Sequence, residues 1–514
     1  MLKFREMPEQ NFHKTITIGA GISGIKSSIE LTKHGVDNII IEARDRLGGR
    51  LHTIKTETGI PMDLGASWFH DCLVNPLLKK TFDKGNVNFY YDDGKWDIIT
   101  KKHGVVDDNL KLQPVADEFN AYLKQICTKK YTPSTDVSVR EACYNYLKQK
   151  KFTLTKEQLE YAPQLVRYFE LWIGSSWDLL SARCITDDAH YGRNAMVTNG
   201  YITLYNDELQ ELVKLKGRSE SSQLIESGDI VLNKAVYKIA FDDKIKRIRI
   251  LTRDRDSKKI ESFECEYLIC SIPLSVLKLQ DYSKEGSIEW QPPLPTDIRA
   301  KLNRTSFSSL GKVFLEFSNC FWPNGTDRFL CLSEPDTVLT GALEKDTPLT
   351  FSKNRDSSWY RIDPRSKPDP FKYSVLFMNL SRAANVPVLL ALIAEPLTQY
   401  IEGSSKEKIW QFFEPLVANI SGKQTVPAPV SINHTVWSSD PFARGSYTGL
   451  TVGDDPDACI DSLIEAKNIF DGSGRVRFVG EGVTKEASGC VHGAWTSAKR
   501  EADKIVRKIN RSKL

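Results

Sequence analysis

A glycine-rich turn between two apolar segments constrains the fold more than any other part of the chain. Gly19, Ala20, Gly21 and Gly24 lie directly after the apolar run Ile16–Ile18 and give the spacing G-x-G-x-x-G. In a strand–turn–helix unit the first glycine permits the tight turn, the second lets the backbone approach a pyrophosphate, and the third lets the helix pack against the strand. The free N–H groups at the start of that helix bind phosphate. The pattern predicts a dinucleotide site.

An acidic residue at the end of the next strand supports this interpretation. Glu42 follows the apolar run Asn38–Ile41, where a carboxylate accepts hydrogen bonds from an adenosine ribose. The alternative is an ordinary glycine-rich turn without a ligand. The complete strand–helix–strand context favours the dinucleotide site.

A second glycine turn indicates which dinucleotide binds. The run Arg46-Leu-Gly-Gly-Arg50 resembles the R-x-G-G-R signature of the flavin amine oxidase superfamily. The resemblance implies that the cofactor is FAD and that Arg44, Gly49 and Arg50 contact it.

A further flavin signature lies near the other end of the chain. Residues 475–482 read as a buried strand that ends at Gly480-Glu481-Gly482, and a helix follows from about residue 488. In the family, the acid equivalent to Glu481 bonds the ribityl chain, and the helix N-terminus near Val491 points at the flavin ring. Val236 matches the position whose backbone holds the adenine. The family usually has histidine where this chain has Gly482.

Because the flavin signatures must meet in space, the sequence predicts a discontinuous cofactor domain. We expect a mixed α/β fold, with a Rossmann-type FAD-binding domain and a substrate domain of mixed sheet and helices. The predicted boundaries are 1–80, 226–290 and 440–514 for the FAD domain, and 81–225 and 291–439 for the substrate domain.

Local patterns predict several elements within these domains. Helix starts with capping boxes are expected at Ser138, Thr155 and Ser404. Strands are expected over 230–239, 245–252 and 266–271, and residues 216–228 are expected to form a loop.

Several substrate-side residues resemble those of the fungal polyamine oxidases. His70, at the end of the segment Asp63–Asp71, matches a histidine that faces the substrate channel. Trp172, His190 and Asn194 match positions that line this channel, although alone they read as core or surface residues. Asp93 is expected to bind the remote ammonium of a polyamine, against the alternative of a plain turn.

Lys312 lies inside an apolar strand pattern, where a lysine would ordinarily reach back to the surface. It matches the family lysine that holds a water at flavin N5, and its burial predicts a lowered pKa. Tyr447 matches an aromatic wall of the pocket. Members with covalent flavin have a cysteine just before this tyrosine, whereas this chain has Ser446, so noncovalent FAD is expected.

Composition restricts the partners. The 514 residues carry a formal net charge of only +4, which gives no argument for nucleic acid. No apolar run is long enough to span a bilayer. The ten cysteines and eight histidines show no ligand spacing, so no metal is expected. Ser512-Lys513-Leu514 matches the tripeptide that the peroxisomal import receptor reads.

The resemblance implies oxidation of spermine or an N-acetylated polyamine by hydride transfer to flavin N5. Dioxygen then reoxidises the flavin to give hydrogen peroxide, and His70 or His190 relays a proton. One alternative is a flavoprotein that binds a corticosteroid-like apolar ligand with little amine turnover. Another is a chromatin amine oxidase, which the absence of a heptad run disfavours.

Overall fold

The computed structural model describes residues 11–91, 94–106, 108–127, 135–183, 185, 190–351 and 361–511. Its strands, numbered along the chain, are β1 Phe12–Ile18, β2 Asn38–Ile41, β3 Thr53–Lys55, β4 Pro61–Asp63, β5 Trp68–Phe69, β6 Phe89–Tyr90, β7 Asp97–Thr100, β8 Gly104–Val105, β9 Ala195–Val197, β10 Ile230–Val231, β11 Lys234–Asp242, β12 Arg247–Asp254, β13 Ile260–Cys270, β14 Glu289–Gln291, β15 Phe307–Ser308, β16 Gly311–Glu316, β17 Arg328–Cys331, β18 Val375–Asn379, β19 Val388–Ile393, β20 Ser431–His434, β21 Tyr447–Thr448 and β22 Val476–Phe478.

The α-helices are α1 Ile22–Lys33, α2 Pro76–Lys84, α3 Leu112–Cys127, α4 Val139–Lys150, α5 Lys156–Val166, α6 Tyr168–Ile173, α7 Ile202–Leu215, α8 Ser221–Glu226, α9 Leu274–Leu277, α10 Thr296–Asn303, α11 Thr337–Lys345, α12 Leu380–Ala384, α13 Leu397–Glu402, α14 Lys406–Ser421, α15 Pro456–Glu465 and α16 Val491–Arg511. Short 3₁₀ turns include Glu481–Val483. None of the helices in the described ranges has the length and apolar content needed to cross a membrane.

The first large sheet brings distant parts of the chain to one edge. Its order is β10-β2-β1-β13-β12-β11-β14, and β22 pairs with the end of β13. Strands β10, β2, β1, β13 and β22 run parallel, with Ile18 opposite both Ile41 and Cys270. Since the carboxyl ends of parallel strands meet at one edge, the loops after β1, β2 and β22 converge there.

Helices cover both faces of this sheet. Alternate residues of a strand point to opposite faces, so Ile39 and Ile41 pack with α10 and α15, whereas Ile40 packs with α1 and α7. Helix α16 packs beside α1 on the second face, where its Ala498 and Ala502 are fully buried. The long C-terminal helix is thereby held against the glycine-motif unit.

The second large sheet has the order β20-β16-β19-β18-β17-β7-β8 and is antiparallel except where β7 joins β17. Every residue of β16 and β19 is buried. Helices α13 and α14 cover one face, and the helical segment from α3 to α6 together with α11 covers the other. This packing explains why β16 reads as an apolar strand despite its lysine.

Two small sheets position the remaining site segments. β9 pairs with β5 and β6, so Phe69 lies opposite Ala195 and Trp68 opposite Met196. β15 pairs with β21, with Ser308 opposite Tyr447. These pairings place residue 70 next to residue 194, and residue 447 next to the start of β16.

The mixed α/β class predicted from the sequence is confirmed, while the predicted domain boundaries stay a prediction. Thr155 forms the expected capping box at α5, whereas at α4 the structure shows the cap itself, with Ser138 Oγ accepting from Glu141 N. The predicted cap at Ser404 is wrong. Ser405 caps α14 instead, because Ser404 Oγ donates to the Tyr400 carbonyl and so belongs to the end of α13.

Two further local predictions need correction. The segment 216–228, predicted as a loop, contains α8. The predicted strand 230–239 is two strands, β10 and β11, which Asn233 separates with a left-handed φ of +59°. Asn tolerates this conformation better than most residues. The surrounding segment is polar, so its sequence pattern indicated neither α8 nor the break between β10 and β11.

Candidate functional site

The glycine turn after β1 has the geometry that phosphate binding requires. Gly19 has φ of +99°, which favours glycine. A Cβ on Gly24 would lie 1.8 Å from the Gly19 carbonyl oxygen, so α1 reaches its strand only because residue 24 is glycine. Gly21 precedes α1, faces the cavity described below, and has open space where a Cβ would be.

Glu42 is buried at the end of β2 and organises the same turn. Its carboxylate accepts hydrogen bonds from Ala20 N at 2.7 Å and Arg44 N at 2.9 Å. The Arg44 guanidinium also pairs with Asp440 at 2.8 Å. The acid therefore holds the turn and still faces the cavity, where a ribose hydroxyl could donate to it.

Arg50 links the two flavin signatures. Its Nη1 donates to Glu481 Oε1 and to the Ser446 carbonyl, both at 2.9 Å. Gly49 approaches Gly21, since a Cβ on Gly49 would lie 3.4 Å from the Gly21 Cα. The second glycine turn, the acid after β22 and the segment before β21 thus meet at one point.

One cavity of ≈ 1120 Å³ connects these groups to the substrate-side residues. Ala20 and Gly24 do not line the cavity; they shape the glycine turn that does. The predicted site residues that do line it are Gly19, Gly21, Glu42, Arg44, Gly49, Arg50, His70, Trp172, His190, Asn194, Val236, Lys312, Tyr447, Glu481 and Val491. Asp93 and Ser512-Lys513-Leu514 lie outside the described residues.

Lys312 is buried in β16, and its ammonium faces the loop after β4. Its Nζ donates to the carbonyl of Asp63 at 3.0 Å, to the carbonyl of Gly65 and to Ser67 Oγ. An ammonium has three hydrogens, so these acceptors can take all of them. Burial lowers the Lys312 pKa to about 8, although the nearby Asp63 carboxylate opposes this shift. Burial raises the Asp63 pKa to about 6.

Two histidines stack in the wall of the cavity. The His70 and His190 rings are 4.5 Å apart with an interplanar angle of 13°. His70 Nδ1 lies 3.0 Å from Asn194 Oδ1, and His190 Nδ1 lies 3.2 Å from Asp71 Oδ1. Burial, together with the adjacent His190 ring, lowers the His70 pKa to about 4.

Aromatic side chains line the cavity between Lys312 and α6. Tyr447 donates its hydroxyl hydrogen bond to the Trp172 carbonyl, which fixes one wall to another. Trp437 Nε1 donates to the Leu64 carbonyl at 2.8 Å. Arg328 lies 5.6 Å from the Trp172 ring in a cation–π contact. These bonds hold flat apolar surfaces in fixed orientations.

The departure at Gly482 has a steric cause. A Cβ at this buried residue would lie 2.6 Å from Thr448 Oγ1 and 2.8 Å from Leu274 Cδ1. A histidine side chain therefore has no room at this turn, because Thr448 and Leu274 occupy the space.

Sequence reasoning missed Asp71, Ser67 and His492. Asp71 accepts from His190 and from His492 Nε2 at 3.1 Å, so it joins the loop after β5 to α16. The adjacent His70-Asp71 pair was a usable signal, whereas the distant His492 gave none.

Asp71, Cys490 and His492 offer side-chain atoms within 4.8 Å of one another. Both ring nitrogens of His492 are engaged, Nε2 with Asp71 and Nδ1 with Asn75 Nδ2 at 3.2 Å. We therefore assign this group as a hydrogen-bonded network, and the absence of a metal stays a prediction.

The chain belongs to the flavin-containing amine oxidoreductase family, whose model matches residues 22–506. This match confirms the resemblance inferred from the sequence and implies a flavin cofactor. The chain is 31% identical to a corticosteroid-binding protein of Candida albicans over 97% of both chains. It is 24% identical to polyamine oxidase 4 of Oryza sativa, covering 96% of this chain and 88% of that protein. It is 25% identical to lysine-specific histone demethylase 1 homolog 2 of Arabidopsis thaliana, covering 98% of this chain and 60% of that protein.

Proposed function

We propose that this protein is an FAD-dependent oxidase of polyamines such as spermine or N-acetylated spermine. The observation that carries the proposal is the single cavity that joins the glycine turn to Lys312, the aromatic walls and the stacked histidines. The polyamine oxidases among the relatives support the choice of substrate class.

The residues present fit FAD. The turn at Gly19 and the open space at Gly21 suit a pyrophosphate, and the Glu42 carboxylate suits a ribose. Glu481 and Val491 line the same cavity, and they would hold the ribityl chain and the flavin ring. FAD would accept a hydride from the carbon beside the reacting nitrogen and return electrons to dioxygen, which gives hydrogen peroxide.

We propose that the FAD is held without a covalent bond. Ser446 occupies the position before Tyr447, and its Oγ accepts from Leu310 N at 2.9 Å and donates to the Ser308 carbonyl at 3.0 Å. Ser446 thereby fastens the segment before β21 to the start of β16. It offers no thiol at this position.

Lys312 acts electrostatically in this proposal. Since its hydrogens are engaged by the loop after β4, holding a water would require exchange of one of these bonds. Below a pH of about 8 it is mainly protonated. A positive charge held at this buried position stabilises negative charge that develops during electron transfer.

The stacked histidines and the aromatic cavity residues deprotonate and orient the substrate amine in this proposal. The reacting nitrogen must be neutral, and the stacked pair His70 and His190 supplies imidazole nitrogens beside the cavity. Trp172 and Tyr447 orient the methylene chain and exclude water. Asp93 remains the proposed partner of a remote ammonium.

A second candidate is binding of a corticosteroid-like ligand with little amine turnover. It is favoured by the 31% identity with the corticosteroid-binding protein and by the aromatic cavity walls. Both candidates are tested by purifying the yellow protein and measuring peroxide release with spermine, N-acetylspermine and spermidine, and steroid binding in parallel. Peroxide release that depends on an amine supports the oxidase.

We also propose peroxisomal import through Ser512-Lys513-Leu514, a compartment suited to an enzyme that releases peroxide. The test is a fluorescent protein fused ahead of residue 1, compared with the same fusion lacking Leu514. Punctate fluorescence that becomes diffuse on deletion supports import, and unchanged fluorescence contradicts it.

A further inference from the structure

Asp71 lies in the loop directly after β5, and its side chain contacts both the segment at His190 and the start of α16. It is buried and has a left-handed φ of +55°, which Asp tolerates better than most residues. Its Oδ1 accepts from Tyr191 N at 2.7 Å and faces His190 Nδ1 at 3.2 Å. Its Oδ2 faces His492 Nε2 at 3.1 Å. The carboxylate therefore joins the channel segment to the first turn of α16.

These contacts determine which ring nitrogens carry hydrogen. A carboxylate oxygen only accepts, so His190 is protonated on Nδ1 and His492 on Nε2. An amide oxygen also accepts only, so His70 carries its hydrogen on Nδ1, which faces Asn194 Oδ1. Within the described residues, no hydrogen bond engages Nε2 of His70 or of His190. Each of the stacked rings therefore keeps a free lone pair on Nε2.

The two stacked rings differ in their partners. A proton on one ring disfavours a proton on the other, because the rings are 4.5 Å apart. His190 has a carboxylate partner that stabilises an imidazolium, whereas His70 has a neutral amide. Only one of the pair is thus equipped to accept a proton.

We propose that Asp71 is a positioning residue that makes His190, and not His70, the acceptor of the proton from the substrate ammonium. The inference rests on the proposed function. In this step the N–H bond of the ammonium breaks and an H–Nε2 bond forms on His190, leaving a neutral amine and an imidazolium paired with Asp71. No electrons are transferred. His70 stays neutral and stacks on the charged ring.

Among the described residues, the charged and titratable groups near the stacked histidines come from three segments. The loop after β5 supplies His70, Asp71 and Cys72, and α16 supplies His492. Arg193 lies on the segment of His190 itself, where its guanidinium stacks on the Tyr91 ring at 4.7 Å. Asp71 is the acidic member of this set and is in direct contact with His190.

The first test reads the tautomer and does not require turnover. The oxidised holoprotein, labelled with ¹⁵N-histidine, is titrated by NMR, with His70→Asn and His190→Asn variants used to assign the rings. We expect His190 to carry its hydrogen on Nδ1 and to gain a proton before His70, and Asp71→Asn to lower its proton affinity. Protonation of His70 first, or an unchanged His190 signal in Asp71→Asn, would overturn the proposal.

The second test is anaerobic flavin reduction by spermine between pH 6 and 9.5 in Asp71→Asn, His190→Asn and the double variant. The expected loss in each is about 10- to 100-fold at pH 7, and it shrinks as the pH approaches the amine pKa near 10. The double variant should lose no more than the single ones. If the reduction rate falls by the same factor at every pH, or if the two single losses multiply in the double variant, Asp71 has only a structural role.

Asp454→Asn serves as the control for replacing a buried carboxylate. Asp454 accepts from Thr451 N at 2.7 Å and from Ser306, and it does not line the cavity. We expect lower stability with an unchanged pH profile. If no amine reduces the flavin of the wild-type protein, the proposed function fails, while the NMR titration still decides the role of Asp71.

Discussion

Arg50 and Glu481 are 431 positions apart in the chain, yet the guanidinium donates to the carboxylate at 2.9 Å. Arg50 is a quarter exposed and Glu481 is buried. The pair joins the glycine turn after β2 to the turn after β22, and both side chains face the cavity. The cofactor site is therefore closed by a contact that neither segment forms alone.

We expect Arg50→Met to weaken FAD binding by about 10- to 100-fold, since a hydrogen bond to a charged group contributes about 1.5–3 kcal/mol. Glu481 then lacks its ionic partner. Isothermal titration of the apoprotein with FAD measures the effect. Arg249→Met is the control: Arg249 pairs with Glu264 at 2.7 Å and does not line the cavity, so this variant should keep its FAD affinity. FAD affinity unchanged in Arg50→Met would contradict the role assigned to the pair.

Lys312 should make stability depend on pH in the alkaline range. Its folded pKa of about 8 lies below the ordinary 10.5, so between these values the folded protein binds fewer protons than the unfolded chain. Stability from this group therefore rises from pH 8 to pH 10.5, by about 1.4 kcal/mol per pH unit. The free energy of unfolding of Lys312→Met, measured in urea, should lack this rise.

The comparison between Lys312→Met and wild type removes the contributions of other groups that titrate in this range. The Met variant should gain most over wild type near pH 8 and lose about 3 kcal/mol of that gain by pH 10.5. Parallel pH profiles would show that the lysine keeps an ordinary pKa.

Gly482→Ala should destabilise the protein by about 1–3 kcal/mol, because its Cβ would overlap Thr448 and Leu274. Gly341→Ala is the matched control. Gly341 lies inside α11 with nothing within 4 Å of a Cβ, so alanine should stabilise by about 0.5–1 kcal/mol. Thermal melts of the two variants should shift in opposite directions. Equal shifts would show that the space at Gly482 is not restricted.

The flavin should be released by denaturation, since Ser446 stands before Tyr447. Trichloroacetic acid precipitation should leave the yellow colour in the supernatant for the wild type, and Ser446→Cys should release its flavin in the same way. Cys490 also lines the cavity, so Cys490→Ser tests whether this thiol retains any flavin in the pellet. Flavin that remains in the pellet of the wild type would contradict noncovalent binding.

Local sequence signals predicted the parts of this molecule that depend on neighbouring residues. The strands at Ile16–Ile18 and Asn38–Ile41 lie within β1 and β2, and the strand predicted before Gly480 contains β22. These elements follow from hydrophobic periodicity and turn chemistry. The shared edge of β1, β2 and β22 then follows from parallel pairing.

Contacts between distant segments were not predictable in the same way. The pairing of β5 with β9 brings His70 to Asn194, and the packing of α16 on α1 brings His492 to Asp71. No local pattern encodes such distances, because they depend on how complete layers pack. The Ser405 cap was missed because the spacing S-x-x-E of a capping box runs from Ser404 to Glu407, whereas the residue three positions after Ser405 is Lys408.

Mixing the purified holoprotein with spermine or N-acetylspermine without oxygen, and recording the flavin spectrum, shows directly whether the protein oxidises polyamines. We expect an amine to bleach the oxidised flavin absorbance, and oxygen to restore it with release of hydrogen peroxide. A corticosteroid, tested in parallel, should not bleach it. A spectral shift with the steroid and no bleaching by any amine would contradict the proposed polyamine oxidase.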